Sequence, residues 1–145
     1  MRCSDMLLNN FIVYISDIQN FSGMVVDGTY AKMWISEGIL FFVYKEIYEI
    51  NRSMAREIVS QRLQLQNENS YPIFCDLRAI TNAQKQARDY LAIEGAYMTT
   101  ALALLVEDEH AMVITQLYIK TSSPAYPTRV FTDKGKALLF LQEYK

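Results

Sequence analysis

The stretch Tyr71-Pro-Ile-Phe-Cys-Asp-Leu-Arg-Ala-Ile-Thr-Asn-Ala-Gln-Lys-Gln-Ala-Arg-Asp-Tyr90 decides the fold. Pro72 lacks an amide hydrogen and fits only the first residue or the edge of a strand, so the apolar run after it reads as a strand over residues 73–77. Asp76 and Arg78 close that run. Thr81 followed by Gln84 has the spacing of a capping box, in which each side chain satisfies the other's free amide. The helix this opens is predicted to run to about Met98, with Ala87, Tyr90, Leu91 and Met98 inward and Lys85, Arg88 and Asp89 beside them. In an open α/β sheet, ligands and partners meet the protein where a strand's carboxyl end hands over to a helix, so this segment marks the expected working edge.

The same pattern repeats outward. Residues 30–35 alternate as a half-buried or edge strand does, Ser36-Glu-Gly38 is a turn signal, and the nearly continuous apolar run at residues 39–44 predicts a central strand paired antiparallel to the first. Ser53 can cap a helix to about Asn67. Its rows Met54-Ile58-Gln61-Leu65 and Ala55-Val59-Leu63 form one apolar stripe, with Arg56, Glu57 and Arg62 expected in water. Residues 101–106 predict a further strand, Asp108 caps a helix through about Lys120, and residues 127–131 predict a fifth strand. Thr132 and Asp133 then cap a last helix with Ala137, Leu138, Leu141 and Tyr144 inward. A leading strand followed by four strand-helix units implies a five-stranded, mostly parallel mixed sheet with right-handed crossovers. Residues 1–28 show no clean period: residues 11–15 suggest a short strand and Met24 an alternative start. They are read as an N-terminal extension, with the domain at residues 29–145.

Composition narrows the classes. With 51% apolar and 21% charged residues and a net charge of -2, the chain has the means for a hydrophobic core and no field that would draw nucleic acid. Cys3 and Cys75 lie too far apart in sequence to suggest a disulfide framework, and Cys75 reads as a small buried hydrophobe; a cytoplasmic setting is expected. Neither a secretory signal nor an apolar run long enough for a membrane span is evident. No phosphate loop, dinucleotide-binding glycine signature, zinc spacing, nucleophile elbow or aromatic nucleic-acid platform occurs, so no cofactor, metal or catalytic residue is expected.

The order of elements resembles the STAS and SpoIIAA-like fold, which includes the anti-sigma-factor antagonists and near which lipid-carrying CRAL-TRIO domains have been grouped. More closely, residues 28–145 resemble a family of uncharacterised small bacterial STAS-like proteins. The resemblance rests on Gly38-Ile39 and Tyr44, on Tyr71-Pro72 with Asp76 and Arg78, on Ala87-Arg88, and on Pro127-Thr128 with Phe131. Antagonist STAS domains carry a phosphorylatable hydroxyl in an Asp-Ser-Ser-Gly-like motif after the third strand. Here Asp76-Leu77 looks like the motif's beginning and Thr81 is the hydroxyl in the matching region, while the Ser-Ser-Gly part is absent.

Candidate residues follow, each with a plainer structural role beside it. Thr81 is a candidate phospho-acceptor or a simple helix cap. Asp76, Arg78, Lys85 and Arg88 with Asp89 are a candidate partner or anion surface, or an ion-pair network that ties strand to helix. His110, after Glu107-Asp-Glu109, reads as a solvated helix start rather than a metal ligand. Tyr48 and Tyr126 fall in predicted loops and are candidate partner contacts. The leading expectation is a regulatory protein-interaction module that captures a protein partner, by resemblance a kinase-like or sigma-control protein. The alternative is a carrier of a lipid or other small apolar ligand between sheet and helices; an enzyme working through Asp76 to Arg88 is a third. Self-association is expected, if at all, through residues 30–35 as an exposed edge strand.

Overall fold

The computed structural model describes residues 23–145. The expectations for residues 11–15 and Cys3 lie outside the described residues. From Val25 the chain runs β1 (Val25–Asp27), β2 (Ala31–Ser36), β3 (Ile39–Tyr44), β4 (Ile47–Ile50), α1 (Arg52–Gln66), β5 (Tyr71–Asp76), β6 (Ile80–Ala83) and α2 (Lys85–Ile93). It continues through β7 (Thr99–Leu105), α3 (Glu109–Ser122), β8 (Thr128–Phe131) and α4 (Lys134–Leu141), with short 3-10 turns at Glu94–Ala96 and Gln142–Tyr144.

The main sheet has the order β1-β2-β3-β5-β7-β8, antiparallel through its first three strands and parallel from β3 onward. The β2–β3 connection places Glu37 (φ 50°) and Gly38 (φ 79°) both in the left-handed region, a turn whose twist matches the strands it joins. The mixed α/β architecture is as the sequence predicts, but the sheet has six strands rather than five. The additional one, β1, pairs Val25 with Trp34 and Asp27 with Lys32, so the sheet takes in residues that the sequence reading leaves in the N-terminal extension. Strand β2 therefore has neighbours on both sides, and its open edge, the premise for self-association through residues 30–35, is not there.

The path β3, β5, β7, β8 moves one way across the sheet, and right-handed crossovers along such a path put every connecting helix on one face. Helices α1, α2 and α3 share that face; α4, which follows the last strand, returns to the other. Side-chain alternation divides the core accordingly. Met33, Leu40, Phe42, Ile73 and Cys75 face α1 and α2, with Ala55, Ile58 and Ala87 among them. Trp34, Phe74, Ala101, Ala103 and Leu105 face α4 and pack with its Ala137 and Leu141.

Two helix starts differ from expectation. Asn51, not Ser53, caps α1: its Oδ1 accepts the Met54 amide at 2.9 Å. Thr81 caps nothing. Residues Ile80–Ala83 are extended because they pair in parallel with β4, a two-stranded sheet apart from the main one. Asn82 Nδ2 and Gln84 Nε2 both donate to the Glu49 carboxylate, at 2.8 and 2.9 Å, so Gln84 is turned toward β4 instead of back to Thr81. The helix begins at Lys85 and ends at Ile93, short of the predicted Met98. Asp108 and Asp133 cap α3 and α4 as predicted, each accepting an amide at 2.8 Å.

Candidate ligand-binding cavity

Strand β7 shows how the site arises. Its Thr-Thr-Ala-Leu-Ala-Leu-Leu sequence sends Ala101, Ala103 and Leu105 to the α4 face, where all three are buried. Leu102 and Leu104 point the other way and stay only half-buried, although leucine is far larger than alanine. Opposite them α3 rests against β8 and α2, and none of its side chains is fully buried. A helix held to one side leaves space under it. That space is a cavity of about 640 Å³, within the roughly 300–1,000 Å³ typical of small-molecule sites.

The sheet floor of the cavity is apolar: Phe42 from β3, Ile73 and Cys75 from β5, and Leu102 and Leu104 from β7. Its helical walls include Ile58 and Val59 of α1, Leu91 of α2 and Ile114 and Ile119 of α3. Most of the wall surface is apolar, but charged or titratable side chains from several elements also line it, among them Arg62, Arg78, Arg88, Glu107, Asp108 and His110. Tyr44 and Tyr126 line it, and burial pushes both phenols above their ordinary range. Burial pushes the Cys75 thiol up as well, aided by the nearby Asp76 carboxylate, so the sulfur is a neutral, poorly nucleophilic wall atom.

Arg62 is the wall residue that the sequence reading misplaces. It is predicted in water and is only 4% exposed. The signal was available: Ala55, Val59, Arg62 and Gln66 follow one another at helical spacing on the buried face of α1. Arg62 Nη1 donates to Gln66 Oε1 at 2.8 Å and to Thr99 Oγ1 at 3.0 Å. Nη2 donates to the carbonyls of Gly95 at 3.0 Å and Tyr97 at 3.3 Å. All four acceptors are neutral, and no ion pair to Arg62 occurs among the described residues. Burial accordingly lowers its pKa.

The six residues singled out from the sequence do not form one constellation. Thr81, Arg78, Arg88 and Tyr126 line the cavity, whereas Asp76 and Lys85 do not. Asp76 is buried and held by its neighbour: Arg78 Nη2 and Nε reach its two carboxylate oxygens at 2.8 and 3.0 Å, and the Arg78 amide adds a third bond at 3.0 Å. Lys85 pairs with Asp89 one turn on, on the outer surface of α2. Arg88 stacks over the Tyr118 ring at 4.0 Å and donates to the Ala83 carbonyl, which ties α3 to α2 at the rim of the cavity. Tyr48 is 80% exposed on β4. His110 is exposed at the start of α3, and no group of metal-ligating residues occurs among the described residues. Among those residues, no helix is long and apolar enough to cross a membrane.

A solved structure of an uncharacterised protein from the DUF3478 family, from Shewanella loihica PV-4, has a SpoIIAA-like fold and resembles this chain with a TM-score of 0.59. The match spans 83% of this chain and 98% of that one at 12% identity. Such a likeness speaks for the fold alone, and it agrees with the SpoIIAA-like architecture that the sequence resemblance implies. No curated protein matches the chain. Residues 33–145 match the sequence model described as Domain of unknown function (DUF7793).

Proposed function

This chain belongs to the DUF7793 family, and on that premise we propose that it binds a small, largely apolar ligand between its sheet and the helices α1, α2 and α3. One observation carries the reading: Leu102 and Leu104 stand half-buried over a cavity of about 640 Å³, on a strand whose alanines are completely buried on the opposite face. An apolar cavity with a few placed polar groups is the usual form of a small-molecule site, and such a space gains by being filled, at roughly 25 cal/mol per Å² of apolar surface removed from water. Two groups that could do chemistry near the sheet floor are not set up for it. The Cys75 thiol is held neutral and Asp76 is engaged by Arg78, which favours carriage or sensing over catalysis.

Native mass spectrometry of freshly purified protein, followed by solvent extraction, tests the reading. A stoichiometric apolar adduct that leaves on extraction supports it. Protein that stays free of any adduct, and takes up no apolar probe after extraction, counts against it.

The protein-interaction reading has its own support in the surface. Val113 and Leu117 on α3, Ile93 at the end of α2 and Tyr97 after it are 55%, 59%, 72% and 61% exposed, and large apolar side chains left in water are candidates for a contact surface. Affinity capture from the native host with wild type and Leu117→Glu separates the two. A partner lost in the variant favours the interaction module, and equal capture or none removes that surface from consideration.

A further inference from the structure

We propose that the ligand of this cavity is an amphipath with a single anionic head, a long-chain carboxylate in form, and that Arg62 is the residue that receives the head. The inference rests on the cavity reading and names the chemistry of its ligand.

Moving a guanidinium out of water is costly unless an opposite charge accompanies it. Arg62 is buried and carries its charge into the cavity wall without such a partner among the described residues. Its four neutral acceptors orient the group and do not neutralise it. The acidic groups that bear on it electrostatically are Tyr126, Cys75 and Tyr44, and burial drives all three further toward their neutral forms. The cavity's carboxylates do not serve either. Glu107 and Asp108 lie past the carboxyl end of β7, whose six residues beyond the Thr99 that Arg62 holds span roughly 20 Å. Asp108 is also occupied as the cap of α3.

Both terminal nitrogens of Arg62 are used, which pins the plane of the guanidinium. Its Nε–H is taken by no described residue. A carboxylate arriving through the cavity would meet a pre-oriented cation with a donor still available, in surroundings where a charge-assisted bond is stronger than in water. The chain behind that head would lie on Ile73, Leu102 and Leu104. A neutral or cationic head would leave the buried charge uncompensated.

Displacement of the dye N-phenylnaphthylamine from the solvent-extracted protein tests this, with dodecanoate, dodecyl phosphate, dodecanol and dodecylamine as competitors below their micellar concentrations. In wild type, dodecanoate is expected to bind at least about tenfold tighter than dodecanol, the equivalent of about 1.4 kcal/mol. Dodecylamine should be weakest, and the preference should collapse in Arg62→Gln and partly return in Arg62→Lys. Phosphate outranking carboxylate would keep the anion and overturn the carboxylate form. Equal affinity for acid and alcohol would overturn the proposal while leaving the cavity reading intact. Failure of the dye and all four competitors to bind would remove both. Should Arg62→Gln not fold, the ranking in wild type decides alone.

Discussion

The two faces of one sheet differ in how they are filled. On the α4 face small residues meet large ones: Ala101 and Ala103 of β7 and Ala137 of α4 make room for Phe74 and Trp34, and each of the five is 0–2% exposed. On the three-helix face the sheet presents larger side chains at the matching positions, Leu102 and Leu104, yet these stay half-buried, with the cavity lying between them and α3. A single strand sequence therefore builds a closed core on one side and a lined cavity on the other. Buried polar groups occur on both faces: Arg62 lies on the cavity side, while Asp76, in register with Leu105 and two residues from Phe74, falls on the α4 side and is held there by Arg78.

Truncation on the closed face should show the contrast most strongly. Phe74→Ala is expected to cost about 3–5 kcal/mol in urea unfolding, because the site is packed on every side and cannot collapse around the loss. Leu104→Ala should cost clearly less, about 2 kcal/mol or under, since the space beside it already exists. Equal costs would mean that the two faces are packed alike.

Enlargement inverts the test. Ala103→Leu forces extra volume against α4 and is expected to destabilise by about 1–3 kcal/mol, whereas Leu104→Phe grows into the cavity and should change stability by less than about 1 kcal/mol. If Leu104→Phe proved the more damaging, the cavity would have to be filled in the native protein.

The smallest effect is one of pH. Cys75, Tyr44 and Tyr126 all have folded-state pKa values raised by burial. Their stabilising contribution is complete below the ordinary thiol and phenol values and is lost as pH rises toward the folded ones. Urea midpoints should thus fall between neutral pH and about pH 10, with little change from this source on the acid side. In a Cys3→Ser background, alkylation of Cys75 should be slow at neutral pH, speed up on unfolding, and slow further with an apolar ligand bound. Rapid alkylation of the native protein at neutral pH would contradict the burial of that wall.

Much of the frame was legible in the sequence. The strand-helix alternation, the antiparallel hairpin at Gly38, and the caps Asp108 and Asp133 follow from local chemistry, and local chemistry decides them. What escaped was decided at long range. Residues Ile80–Ala83 are too short for a confident period and become extended only because β4, some thirty residues earlier, pairs with them. That pairing displaced the helix start and left Thr81 exposed on a strand, so a phosphate there would find no helix terminus to stabilise it. Arg62 escaped for a different reason. A charge on an apolar stripe is ordinarily assigned to water, and only the acceptors supplied by Gly95, Tyr97 and Thr99 from across the fold make its burial tolerable. The cavity itself is a matter of where α3 rests, which no spacing in its own sequence records.

Fluorescence titration of N-phenylnaphthylamine into solvent-extracted wild type and Leu104→Trp tests the central claim most directly, with circular dichroism confirming that both are folded. The account predicts saturable binding near one dye per chain in wild type and its loss in Leu104→Trp, whose indole occupies the space above the sheet. Undiminished binding in the filled variant, or no saturable binding to folded wild type, would contradict a ligand-binding cavity on the three-helix face.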